Sequence, residues 1–265
     1  MLKDITIGQY LPGNSFLHRL DPRTKILAVL FYMVSLFLVN NFFGLGAMLL
    51  LSIVVVLISH IPLKFFFRGI KAIVFIVLLT VVLQMFMTPG EPLWQWGFLT
   101  ITKEGIRQAI FLGTRLVLLV SVTSILTLTT TPISLTDGIE NLLKPFQRFG
   151  VPAHELAMMM TIALRFIPTL IEETDKIMKA QAARGADFES GNLMERAKAM
   201  IPLLVPLFLN AFKRADELAM AMEARCYHGG ENRTRLKALC YDRQDAVAGV
   251  LCFCMVAGAF LTRFI

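Results

Sequence analysis

From Ile26 to Ser59 the chain is almost unbroken hydrocarbon, interrupted only by Asn40-Asn41. A run of this length reads as bilayer-spanning. As one straight helix it would be roughly 50 Å long, too long for a hydrocarbon core of about 30 Å. It is therefore read as two short spans, 26–39 and 42–59, joined by a tight polar turn at the asparagines. Each falls short of the ideal of about 20 residues, so flanking residues or local bilayer thinning must help.

Composition supports the same class. Apolar residues make up 56% of the chain and charged residues only 17%. The net charge is nevertheless +7. In a membrane protein such a balance belongs to cytoplasmic loops rich in Lys and Arg. A nucleic-acid surface is set aside, because no basic run interleaves with aromatics. Residues 1–25 carry no apolar core of signal-peptide length.

A basic loop with Lys64, Arg68 and Lys71 precedes a third span over 72–88. "TPGEPLWQWGF" (88–98) reads as a turn whose Trp94 and Trp96 suit the headgroup level. A fourth span covers 106–130 and carries Arg107 and Arg115 near its start. Arg115 either snorkels outward or pairs inside the bundle. The last span lies within 244–265. With the N-terminus in the cytoplasm, only Lys103, Arg107, Arg115 and Arg263 of the 26 Lys and Arg residues fall on the outer side.

The expected fold is therefore an all-α integral membrane protein with about five transmembrane helices. Residues 1–131 form a membrane domain of four spans, 132–243 a cytoplasmic or interfacial coupling domain, and 244–265 the final span. The coupling block is charged, Met-rich and punctuated by prolines. Its two apolar stretches, 156–171 and 199–212, are short and contain Pro168, Pro202 and Pro206. As extra spans they would place Lys176, Lys179, Arg184, Arg196 and Lys198 outside, against the charge rule. They are read as amphipathic helices along the inner face or under the spans.

One pattern in this block repeats. Aligning Arg184 on Arg225 places Asp175 on Asp216, Ile177 on Leu218, Ala180 on Ala221 and Ala183 on Ala224. Each arginine follows a run of good helix formers. Gly185 sits where a left-handed C-terminal residue belongs, and Gly229-Gly230 end the second run. A cation in a last helical turn complements the helix dipole, so each arginine alone needs no partner. Two of them, flanked by small residues, offer forked donors that a second protein can approach closely. The chain has no phosphate loop of its own.

Catalytic patterns are lacking. "HELAM" at His154-Glu155 lacks the second histidine of a zinc-protease motif. His18, His60 and His228 are isolated, and Glu172-Glu173 reads as a solvated face. Cys226, Cys240, Cys252 and Cys254 form no CxxC pair and read as free thiols.

Four segments together resemble the transmembrane T component of energy-coupling factor importers: "HRLDPRTKIL" (18–27), "TKEGIRQAIFLGTRL" (102–116), "LRFIPTLIEETDKIMKAQAARGADF" (164–188) and "IPLLVPLFLNAFKRADELAMAMEARCY" (201–227). The resemblance covers nearly the whole chain. It departs from the family's Ala-Arg-Gly signature at Cys226, where the glycine is missing. It implies a non-enzymatic coupling scaffold in a prokaryotic cell membrane, for vitamin or metal-ion uptake. Two ATP-binding-cassette subunits would bind Ala183, Arg184, Gly185, Ala224, Arg225 and Cys226. A substrate-capture membrane subunit would contact Met158, Met159, Met160, Pro202 and Pro206. No cofactor or metal is implied in this chain, since ATP would be bound by the partners. The competing reading is a self-sufficient secondary transporter, which would need ionisable groups near mid-membrane and a broken-helix site.

Overall fold

The computed structural model describes residues 10–96, 99–186, 188, 192–230 and 239–262. The described helices are α1 (Phe16–Arg19), α2 (Pro22–Leu38), α3 (Phe42–Ser59), α4 (Leu63–Met87), α5 (Lys103–Thr129), α6 (Pro132–Leu143), α7 (Ala153–Ala183), α8 (Leu193–Glu223) and α9 (Arg243–Leu261). Strands β1 (Pro92–Trp96) and β2 (Leu99–Thr102) form an antiparallel hairpin between α4 and α5. The chain divides into two compact units, one within Gly8–Leu142 and Ala238–Ile265, the other within Leu143–Lys237.

The first unit is all-α apart from the hairpin. The asparagine pair breaks the first apolar run as expected: α2 ends at Leu38 and α3 begins at Phe42. Proline at the first position of α2 and Asp21 as its N-cap fix its start, the Asp21 carboxylate accepting from Arg23 N–H at 2.9 Å. Tyr32, Leu36, Val39, Leu45, Met48, Leu118, Val122 and Ala259 form the core. The Tyr32 hydroxyl is satisfied there by Ser52 and the Met48 carbonyl. α4 and α5 pack closely because Gly113 meets Val81 and Gly69 meets Ser124. Small residues at helix contacts are how membrane helices approach without a hydrophobic drive between them.

A buried polar knot closes this unit at one end. Asp245 accepts Asp21 N–H and Asp242 N–H, each at 2.9 Å, the second as part of a capping box on α9. The Lys25 ammonium donates to the Thr129 and His18 carbonyls at 3.1 and 3.3 Å. Three helix termini, those of α2, α5 and α9, are thus tied together by charged groups with matched partners, as buried ions require.

The outer surfaces of these helices are apolar. Phe43, Phe75 and Phe253 are 85%, 74% and 76% exposed. In water such surface would aggregate; in lipid it is solvated. By length and composition α3, α5, α7 and α9 can each cross a membrane, as can α4, whose parts Lys64–Lys71 and Ile73–Met87 meet at 51°. The 17-residue α2 is about 26 Å long, just under the core thickness.

Three local expectations are corrected. The segment read as a turn around Trp94 and Trp96 is a hairpin, with Trp94 opposite Ile101 and Trp96 opposite Leu99. The apolar–polar alternation of Leu99–Thr102 and the aromatic residues of Pro92–Trp96 favour strand pairing over a simple turn. The side chains of Trp94 and Trp96 lie outside the described residues. The basic segment with Lys64, Arg68 and Lys71 is the first part of α4 rather than a loop. The stretches 156–171 and 199–212 are not separate short helices: each is part of a 31-residue helix, α7 or α8. Pro168, Pro202 and Pro206 lie inside these helices instead of ending them.

Candidate functional site

The second unit is built on α7 and α8, which run antiparallel. Near one end Tyr227 hydroxyl and His154 Nε2 are hydrogen-bonded at 3.3 Å. Further along, Asn210 Nδ2 donates to Glu173 Oε1 at 3.0 Å and an Arg214 guanidinium N–H donates to Glu173 Oε2 at 3.4 Å. Residue numbers that rise on α7 therefore meet numbers that fall on α8. Sequence reasoning took Glu173 for a solvated face; it is instead the polar clasp between the two helices. Glu172 is exposed, as expected.

Arg184 and Arg225 stand just past the C-terminal ends of α7 and α8. The antiparallel pairing puts them at opposite ends of the helix pair, about 40 Å apart along its axis. Their caps match residue for residue. Around Arg184, N–H groups of Arg184, Gly185 and Ala186 donate to Gln181, Ala182 and Gln181, all at 3.0 Å. Around Arg225, those of Arg225, Cys226 and Tyr227 donate to Met222, Glu223 and Met222 at 3.1, 2.9 and 3.1 Å. The long return bond and the shorter one nested inside it are the Schellman arrangement. It needs a left-handed residue just after each arginine, and Gly185 (φ 91°) and Cys226 (φ 54°) supply it.

This corrects the reading that Gly229-Gly230 terminate the second run. Gly229 is also left-handed, but it lies beyond the cap. The cap itself tolerates cysteine, so the missing glycine at Cys226 leaves its hydrogen-bond pattern unchanged.

Ala183, Arg184, Gly185, Ala224, Arg225 and Cys226 are all exposed. Among the described residues neither guanidinium is engaged by a carboxylate. Each sits on the negative end of a long helix dipole, with small neighbours that leave its fork accessible. Arg225 also borders a cavity of about 500 Å³ lined by Met158, Ile162, Leu218 and Met222.

The residues expected to meet a capture subunit differ in exposure. Met158 is half-buried and lines that cavity, whereas Met159 and Met160 are exposed. Pro202 is exposed and Pro206 partly so. Around them runs an apolar stripe that sequence reasoning did not single out: Ile201, Leu204, Val205, Phe208, Leu209 and Phe212, each at least 49% exposed. Their spacing of three and four residues places them on one face of α8. That spacing was the available signal; the two prolines obscured it.

Arg115 pairs inside the first unit. A guanidinium N–H donates to the Val39 carbonyl at 2.7 Å, and the group lies over the rings of Phe111 and Phe37 at 4.8 and 5.5 Å. It satisfies the carbonyl end of α2, where a cation also complements the helix dipole.

The fold and these two helix ends define a multi-pass, all-α membrane protein that presents paired arginine caps. Residues 13–236 match the family profile of cobalt transport protein, CbiQ. A protein of Acidaminococcus fermentans named energy-coupling factor transporter transmembrane protein EcfT is 59% identical over 95% of this chain and 94% of its own length. Proteins of the same name in Thermosediminibacter oceani and Bacillus subtilis are 58% and 49% identical, over 100% and 99% of this chain and 100% of each relative. The chain belongs to this family of energy-coupling factor transporter transmembrane proteins. It is a membrane transport component, and the family is not named for any catalysed reaction.

Proposed function

We propose that the chain is the coupling scaffold of an importer, held by two ATPase subunits through Arg184 and Arg225. The observation that carries this reading is the pair of identical Schellman caps at opposite ends of one antiparallel helix pair. A single binding groove would not reach both ends; two copies of one groove would. Each groove would offer a carboxylate to the forked guanidinium. ATP binding and hydrolysis belong to those partners, and α7 and α8 carry their motion to the membrane.

The apolar stripe of α8, with Met159, Met160, Pro202 and Pro206, is the surface for a small membrane subunit that captures a vitamin or metal ion. Thioether side chains adapt to different partners, which suits such a surface. The N-terminus and the α7–α8 pair lie on the cytoplasmic side of the cell membrane. Spanning by α7 would leave Lys176, Lys179 and Arg184 outside, against the distribution of positive charge.

Three measurements test this. Co-expression with candidate ATPase subunits should yield a complex that Arg184→Ala with Arg225→Ala abolishes, while the variant still inserts into the membrane. Losing one fork leaves a carboxylate unpaired, worth on the order of 2–5 kcal/mol of association. Cysteines placed at 184 and 225 should label from the same side of the membrane. Labelling from opposite sides would make α7 and α8 spans and end the proposal. Uptake by the isolated chain in vesicles would favour a secondary transporter instead.

A further inference from the structure

We infer that the groove between the start of α3 and the first half of α5 seats the phosphodiester of a membrane phospholipid. The groove has a volume of about 390 Å³ and is bordered by Asn40, Phe42, Glu104, Arg107, Phe111 and Arg115. It lies where α2 ends and α3 begins, at headgroup depth for helices of this length.

Two guanidiniums border it, and among the described residues neither is paired with a carboxylate. Arg107 lies over the Phe42 ring at 5.2 Å, and Arg115 over the Phe111 ring at 4.8 Å. Arg107, Phe111 and Arg115 follow one another at four-residue steps, so they share one stripe of α5. Arg115 spends one N–H on the Val39 carbonyl, while its buried Nε has no acceptor among the described residues. Both groups lie within cation–π distance of a ring, and a ring face occupies none of a guanidinium's five N–H donors.

The neighbouring acids are committed elsewhere. Glu104 accepts Glu91 N–H at 2.8 Å, and Glu91 pairs with Lys103 at 3.1 Å. Two arginines against one carboxylate leave a single positive charge in the groove, which one phosphodiester neutralises. Phe42, Phe111 and Leu112 line the same groove and provide apolar surface for acyl chains. A free phosphate could match the charge but would not use that surface.

The test is thermal unfolding of the full chain in uncharged detergent, with added phosphatidylglycerol, diacylglycerol or inorganic phosphate at equal concentration. Phosphatidylglycerol should raise the midpoint by several degrees, and the other two should not. Arg107→Gln should lose most of that rise, whereas Lys103→Gln, outside the groove, should keep it. Arg107 is exposed and donates no hydrogen bond that holds the fold, so its variant remains folded even if Arg115→Gln does not. An equal rise with diacylglycerol, an equal rise with inorganic phosphate, or a full rise in Arg107→Gln would each overturn the assignment.

Discussion

Gly185 and Cys226 occupy the same position in two matching helix caps, one with φ 91° and the other with φ 54°. The first residue adopts that conformation freely; the second does so against its own Cβ.

Cys226→Gly should therefore strengthen the cap of α8 by about 1 kcal/mol, solely by relieving that backbone strain. Gly185→Ala should weaken the cap of α7 by a similar amount. A Cβ there meets nothing within 4 Å, so the loss is conformational rather than steric crowding. Hydrogen exchange at the amides of Tyr227 and Ala186 reads each change directly.

Arg184→Lys and Arg225→Lys should each weaken ATPase capture although charge is kept. Losing one arm of a bidentate bond to a charged group removes about 1.5–3 kcal/mol, or roughly ten- to hundredfold in affinity. Dissociation constants measured on purified complexes check this. Unchanged affinity in both variants would reduce the arginines to dipole caps.

Much of this architecture is legible in the amino-acid order alone. Asn40-Asn41 announce the break between α2 and α3 because two amides in mid-hydrocarbon have no partners unless the backbone turns to water. The matched runs before Arg184 and Arg225 announce two equivalent helix ends. Other features resist for physical reasons. Each internal proline removes one hydrogen bond and disfavours a helix by about 3 kcal/mol, so Pro168, Pro202 and Pro206 hide the full length of α7 and α8. Long flanking helices on both sides override that local cost. The left-handed Cys226 carries no compositional mark, since only glycine signals such a position. The clasp of Glu173 with Asn210 and Arg214 joins residues that no local pattern connects.

Asp245→Ala should destabilise the first unit by about 2–4 kcal/mol. It strands the N–H groups of Asp21 and Asp242 and removes a carboxylate near Lys25. Asp245→Asn keeps one carbonyl oxygen and should cost less. Thermal unfolding in detergent orders the three proteins: wild type above Asn, Asn above Ala.

Two glycine substitutions should diverge. A Cβ on Gly105 would stand 2.7 Å from the Met85 carbonyl oxygen and 2.8 Å from Thr102 Oγ1. Gly105→Ala should push the hairpin from the end of α4 and cost about 1–3 kcal/mol. Gly46, in the interior of α3, faces open space. Gly46→Ala should be neutral or stabilise by up to about 1 kcal/mol. The same melting experiment separates them.

The knot at Asp245 joins backbone 224 residues upstream. At about 5–20 residues per second, a ribosome needs roughly ten to forty-five seconds to make the intervening chain. Throughout that interval the earliest helices sit in the bilayer with the Asp21 amide still awaiting its acceptor. Assembly of the first unit is thus completed by its last helix, and nascent chains halted before residue 245 should be the form that membrane quality-control proteases remove.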